Sequence, residues 1–192
     1  MNILEDSYSA FINLDHRTDR LEHMEKQLKR LGFGMPGMNL NADRIRGMLP
    51  GELRDKPGIK TMMDRTPGAV GCHFSQVKIM ERALTLNRHA LVMEDDIIFC
   101  QDFNERIDMI SDFLSPRVWD VFFLGGTFHV PAFWHRVGSS GMMPNCSAQL
   151  GQDCEWLGDL NFKPEPRFVK TYGAFSTFAY FVNIKSIQKI LD

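Results

Sequence analysis

Three carboxylates in a row, Glu94-Asp95-Asp96, interrupt an apolar stretch that reads Ala90-Leu91-Val92-Met93 before them and Ile97-Ile98-Phe99 after them. Adjacent carboxylates repel one another and are costly to take out of water, and the end of a strand has no structural need for them. They do suit a hard divalent cation. Mg2+ and Mn2+ take carboxylate oxygens and complete their shells with water and substrate phosphates. Alternation along a strand sends Glu94 and Asp96 to one side and Asp95 to the other. Glu94 and Asp96 are then the expected metal ligands, and Asp95 is left to contact another group. The bland alternative is a solvated turn carrying spare acids.

Two further segments carry polar groups of the right kind. Asn13, Asp15, Arg17 and Arg20 crowd the end of one apolar run and the start of the helix after it. Arginine matches phosphate geometry, and a helix N-terminus favours anions. Taken alone, the segment reads better as helix capping and surface ion pairs. In Thr66-Pro67-Gly68-Ala69-Val70-Gly71-Cys72-His73-Phe74-Ser75-Gln76, the glycines at a helix start permit close backbone approach, and His73, Ser75 and Gln76 add polar groups. By itself this is a well-capped helix with Cys72 buried. The run Gly32 to Gly37 matches G-x-G-x-x-G, but it follows a helix and contains Pro36, so the dinucleotide fingerprint is rejected. His129, His135, Cys146 and Cys154 fit no zinc-ligand spacing.

The elements that must position these groups follow from periodicity. Ser9 to Leu14 reads as a first strand. A helix follows with Leu21, Met24, Leu28 and Leu31 at helical spacing, Thr18 as its cap and Gly32 as its stop. The segment from Gly34 to Pro67 is rich in Gly, Pro and Met, and yields only a short helix around Asn41 to Met48. Thr66-Pro67 opens a second long helix with Val70, Phe74, Val77 and Leu84 on one face, ended by Asn87 and Arg88. Ala90 to Met93 is a second strand. Asp102 starts a third helix with Phe103, Ile107, Ile110 and Leu114 aligned and Pro116 beyond its end. Val118 to Gly126 is a strand closing on two glycines, one or two more strands lie between Phe168 and Asn183, and Ile184 begins a terminal helix. Strand and helix alternate, which predicts an α/β mixed sheet with helices on both faces, in one domain over residues 1–192. The stretch of about 127–170 is irregular and long for a loop, which marks it as functional or mobile.

With 192 residues, 44% hydrophobic and 24% charged, the chain can bury a full core. A net charge of −2 predicts no general affinity for nucleic acid or membrane surfaces. The N-terminus lacks a basic-then-apolar leader and no apolar run reaches membrane-span length, so a cytoplasmic location is expected. Four cysteines are too sparse for a disulfide scaffold.

Five segments occur together and in order: residues 11–24 (FINLDHRTDRLEHM), 66–84 (TPGAVGCHFSQVKIMERAL), 90–99 (ALVMEDDIIF), 119–126 (WDVFFLGG) and 172–191 (YGAFSTFAYFVNIKSIQKIL). Each is weak alone, but the set resembles glycosyltransferase family 25, which includes lipooligosaccharide and collagen galactosyltransferases. The resemblance implies a GT-A-like, Rossmann-type fold and inverting transfer of a hexose, typically galactose from UDP-galactose, to a glycan or lipid-linked glycan acceptor. It implies Mn2+ or Mg2+ at the acidic motif. It assigns Asn13, Asp15 and Arg17 to the nucleotide pocket. Gly71, Cys72 and Ser75 shape the donor side, and Glu94, Asp95 and Asp96 handle ribose, sugar and metal. Gln76 and Phe178 stand where the family pattern has histidine. The family usually continues past the last helix, so the chain ending at Asp192 is expected to be a shortened form. Inversion needs a base on the acceptor side, and Asp153, Glu155 and Asp159 in the irregular segment are the candidates. Expected partners are a UDP-sugar and a glycan acceptor, with no nucleic acid and no spanning segment, and with peripheral membrane contact allowed. Two rivals remain: a catalytically degenerate sugar-nucleotide-binding domain, and a metal-dependent phosphoesterase built on clustered carboxylates.

Overall fold

The computed structural model of the protein describes residues 2–53, 66–128, 154–156, 169–171 and 174–192, with side chains described through Leu124 and again from Phe178. The chain divides into two compact units, Met1–Leu124 with Phe178–Asp192, and Gly125–Thr177.

The first unit begins with strand β1 (Ser7–Asn13), helix α1 (Thr18–Arg30) and strand β2 (Ala42–Arg46), which lies parallel to β1 with Phe11 opposite Arg44. A 3-10 turn (Pro50–Leu53) precedes helix α2 (Pro67–Thr85), which leads into strand β3 (His89–Glu94). Strand β3 pairs parallel with β1 on the side away from β2, with Ile12 opposite Glu94. Helix α3 (Phe103–Leu114) leads to β4 (Val121–Phe128). Strand β7 (Ala174–Val182) returns antiparallel to β3, and helix α4 (Ile184–Leu191) follows it. The five-stranded sheet runs β2-β1-β3-β7-β4, so the fold class is the expected mixed α/β sheet flanked by helices. In the second unit, β5 (Cys154–Trp156) pairs antiparallel with β6 (Val169–Thr171).

The alternation of β1 and β3 supplies two buried faces. Tyr8, Ala10, Ala90 and Val92 form one, joined by Tyr180 and Val182 of β7, and they pack against Ile79, Met80 and Ala83 of α2 and Ile187 of α4. Phe11, Leu91, Met93 and Phe181 point the other way by alternation and are also buried. The step from β1 to β2 and the step from β2 to β3 run in opposite directions across β1. Right-handed crossovers therefore put α1 and α2 on opposite faces. Helix α1 buries Met24 and Leu28, and α3 buries Phe103, Ile107, Ile110 and Leu114, the stripe expected from spacing. Ser111 ties α3 to the chain start, its hydroxyl accepting from the Ile3 amide at 3.0 Å and donating to the Ile107 carbonyl at 2.7 Å.

Several boundaries differ from expectation. The segment Asn41 to Met48 is not a helix. Its central residues form edge strand β2, whose charged Asp43, Arg44 and Arg46 face solvent, so no apolar alternation betrays it. Thr18 is the first helical residue rather than the cap, a place taken by Arg17 with no side-chain cap bond. The buried face of α2 is Val70, Gly71, Ser75, Ile79, Met80 and Ala83; Phe74, Val77 and Leu84 are half-buried beside it. Strand β4 starts at Val121, past a fully exposed Val118, and runs through its glycines to Phe128.

Candidate functional site

The strand order reverses at β1: the chain goes to β2 on one side and then to β3 on the other. In open α/β sheets, the crevice outside the carboxyl ends of the strands at such a reversal is where ligands bind. The last residue of β1 is Asn13 and the last of β3 is Glu94, so the first-strand cluster and the acidic triplet meet there.

Asn13 is buried and its amide is fully used. Its Nδ2 donates to Asp95 Oδ2 at 2.7 Å and to the Arg17 carbonyl at 3.1 Å, while its Oδ1 accepts from Arg44 Nε at 3.0 Å. Arg44 Nη2 also pairs with Asp15 at 2.6 Å. Asp95, the buried member of the triplet, takes its second bond from Arg20 Nη1 at 3.0 Å, and the same nitrogen lies 3.0 Å from Asp96 Oδ2. The expected division of sides, with Asp95 opposite Asp96, therefore does not hold. The strand ends at Glu94 and the next two residues turn, so one guanidinium reaches both aspartates. Arg17 folds onto Asp19 through two bonds of 2.9 and 2.7 Å.

Helix α2 forms the opposite wall. The Ser75 hydroxyl accepts from the Met48 amide at 2.8 Å and donates to the Gly71 carbonyl at 2.7 Å. A Cβ on Gly71 would lie 2.4 Å from the Met48 carbonyl oxygen. Gly71 and Ser75 thus let the segment after β2 lie directly on the helix, and that segment closes the crevice. Cys72 faces Glu94 Oε1 at 3.9 Å, and Gln76 donates to Cys72 Sγ at 3.4 Å while accepting from the Tyr180 hydroxyl at 3.1 Å. Burial, then the charges of Asp96 and Asp95, push the Glu94 carboxyl up to about 7. Burial and Glu94 push the Cys72 thiol up to about 11, which makes it a poor nucleophile. Burial also raises the Tyr180 hydroxyl.

Between these walls lies an open cavity of about 230 Å³, with Ile12, Leu14, Met48 and Leu49 as apolar lining and Arg17, Arg20, Glu94 and Asp95 as its charged groups. Gly71, Cys72 and Ser75 also line it. Two helix starts open here, Arg17 before α1 and Gly68 in the first turn of α2, and neither helix has a side-chain cap bond. Asp15 stands outside the lining and pairs with Arg44, a residue that carries no signal in the sequence because the expected helix over Asn41 to Met48 gives it no role. Glu155 is the middle residue of β5, opposite Lys170, while Asp153 and Asp159 lie outside the described residues.

Residues 9–129 match the family described as "Glycosyltransferase family 25 (LPS biosynthesis protein)". The chain belongs to glycosyltransferase family 25. The matched segment holds the whole crevice, from β1 to the acidic triplet. A protein of Anopheles gambiae named "Glycosyltransferase 25 family member" is 31% identical over 130 residues, covering 62% of this chain and 22% of the relative. Proteins of the same name from Aedes aegypti (31% over 131 residues, 62% and 21%) and Drosophila pseudoobscura pseudoobscura (29% over 125 residues, 59% and 20%) are similar to the same extent. The aligned part thus spans about a fifth of the length of these relatives.

Of the two positions where the resemblance implies histidine, Gln76 donates to Cys72, which in turn faces Glu94, and Phe178 is exposed. The donor set also suits the divalent cation that the resemblance implies. Glu94 is a half-buried carboxyl whose hydrogen-bond partner among the described side chains is a thiol, and burial with the charges of Asp96 and Asp95 disfavours its ionised form, a cost that a bound cation would relieve. Asp96 is partly exposed beside it.

Proposed function

We propose that the crevice is the donor site of a glycosyltransferase that moves a hexose, galactose in the favoured case, from a UDP-sugar to a glycan or lipid-linked glycan acceptor with inversion. The observation that carries this reading is the placement of Glu94, Asp95, Arg17 and Arg20 with the starts of two helices around one cavity at the sheet's reversal point. Helix N-termini and guanidinium groups attract a diphosphate. The apolar wall of Leu14, Met48 and Leu49 offers a surface for a flat base. Asp95, which lines the cavity and is held by Asn13, is the group to grip a ribose or sugar hydroxyl. Glu94 and Asp96 would hold Mn2+ or Mg2+, which offsets negative charge on the departing diphosphate. Such an ion needs one or two carboxylates because phosphate oxygens and water complete its shell. Arg20, bound to both aspartates, keeps their charges from driving the anionic donor away. The acceptor hydroxyl must pass its proton to a base, for which Asp153, Glu155 and Asp159 remain the candidates.

The phosphoesterase rival loses ground. A two-metal hydrolase needs protein ligands for two ions, and among the described residues no group of three or more His, Cys, Asp or Glu is arranged to hold even one, whereas the transferase reading asks for a single ion completed by phosphate oxygens and water. The degenerate-domain reading shares the same donor site and differs in lacking transfer. Incubation with radiolabelled UDP-galactose, Mn2+ and an array of glycan acceptors separates the two. Labelled glycan of inverted anomeric configuration supports the transferase, whereas UDP-sugar that binds yet stays intact with every acceptor supports the degenerate domain.

A further inference from the structure

We propose that Arg44, on the edge strand β2, is a positioning residue of the donor crevice, holding Asn13 and Asp15 directly and Asp95 through Asn13; the functional part of this inference rests on the donor reading. Asn13 sits between two partners of opposite kind. A guanidinium has only donors and a carboxylate only acceptors, so the amide between Arg44 and Asp95 has a single workable orientation. Its oxygen takes the Arg44 Nε–H at 3.0 Å and its nitrogen serves Asp95 at 2.7 Å and the Arg17 carbonyl at 3.1 Å. Asn13 is 1% exposed, so an oxygen deprived of Arg44 is an acceptor stranded in the protein interior. The second arm of Arg44 meets Asp15 at 2.6 Å, which bridges β2 to the turn after β1. Asp95 is gripped from the other side by Arg20 at 3.0 Å. The hold therefore runs Asp15–Arg44–Asn13–Asp95–Arg20, across the ends of the three parallel strands β2, β1 and β3. Arg44 does not line the cavity. Neither does Asn13, so the effect of Arg44 on a ligand must pass through Asn13 to Asp95, and this separates positioning from direct contact.

A double-mutant cycle tests it, with UDP in the presence of Mn2+ as probe and thermal unfolding as the control for folding. Arg44→Ala is expected to weaken UDP binding about tenfold, while in an Asn13→Ala background the same change costs less than about twofold, because the group it acts through is gone. Asn13→Ser replaces the alanine variant if that one does not fold. Equal losses in both backgrounds, or no loss in either, overturn the proposal. A second readout needs no ligand. The Asn13 side-chain NH2 resonances should exchange slowly with water in the unaltered protein and at least tenfold faster in Arg44→Ala, and unchanged exchange overturns the hold. If the unaltered protein binds no UDP, the donor reading falls while the amide exchange still decides whether Arg44 holds Asn13.

Discussion

Asp95 and Asp96 share one arginine, yet their surroundings assign them different work. Asp95 is buried between Asn13 and Arg20, so Asp95→Asn sets an amide against Asn13 Nδ2 and strips Arg20 of its buried partner. Arg20 is more than a third exposed and water will absorb part of that loss, so we expect a destabilisation of about 1–3 kcal/mol, read by chemical denaturation, together with weaker UDP binding. Asp96 is partly exposed, and Asp96→Asn should leave the unfolding midpoint nearly unchanged while abolishing Mn2+-dependent donor turnover; a wild-type rate would remove it from the metal site. Gly71→Ala drives a methyl against the Met48 carbonyl oxygen, and overpacking of this kind costs about 1–3 kcal/mol. A thermal midpoint equal to that of the unaltered protein would show that the segment after β2 moves freely. The triplet was legible because charge inside an apolar run is anomalous whatever the fold. Arg44 was not legible, since nothing in Ala42-Asp43-Arg44-Ile45-Arg46 distinguishes a positioning arginine from a solvated one.

Among elements, legibility followed burial. Helix α3 lies on the core with one apolar stripe, and all of Phe103, Ile107, Ile110 and Leu114 were readable from spacing. Ile107→Ala there should cost about 2–5 kcal/mol as a cavity opens, measured by the denaturation midpoint. Strand β2 is an edge with one side in water, and its charges mimic a loop or a short helix. In α2 the apolar stripe misleads because the segment after β2 lies on the helix at Gly71 and Ser75, so small residues occupy buried places that larger ones were expected to fill. The docking of α4 has a titratable partner. The Ile184 amide donates to His89 Nδ1 at 3.1 Å, and burial lowers the His89 pKa while Asp6 pulls weakly the other way. A histidine held below its ordinary value contributes fully when both folded and unfolded forms are neutral, and that contribution fades as pH falls through the unfolded pKa, about 6.5, towards the lower folded one. Glu94, held up at about 7, gains stability over the same range and works against His89, so the test is a difference: between pH 7.5 and 5.5 the thermal midpoint should shift more favourably in a His89→Gln variant than in the unaltered protein, and an identical shift would exclude His89 as a contributor.

For the whole molecule, the decisive feature is topology rather than composition. The order β2-β1-β3 turns a run of alternating strands and helices into a crevice, and it places two sequence clusters about eighty positions apart within hydrogen-bond distance (Asn13 and Asp95, |i−j| = 82). Sequence alternation predicted the sheet, but only strand order shows that the clusters meet. No described helix is long and apolar enough to cross a membrane. A net charge of −2 gives the protein no broad attraction for an anionic nucleotide, so under the proposed donor reading affinity rests on the local groups Arg17, Arg20 and the helix starts, together with the proposed cation. A ligand that binds the folded state alone also raises its stability by mass action, so UDP with Mn2+ should raise the thermal midpoint. The most direct test is calorimetric titration of this 192-residue chain with UDP, with and without Mn2+. The account predicts saturable one-site binding that tightens at least tenfold when Mn2+ is present and is lost in an Asp95→Asn, Asp96→Asn double variant. Absence of any binding heat from the folded chain under both conditions would contradict it.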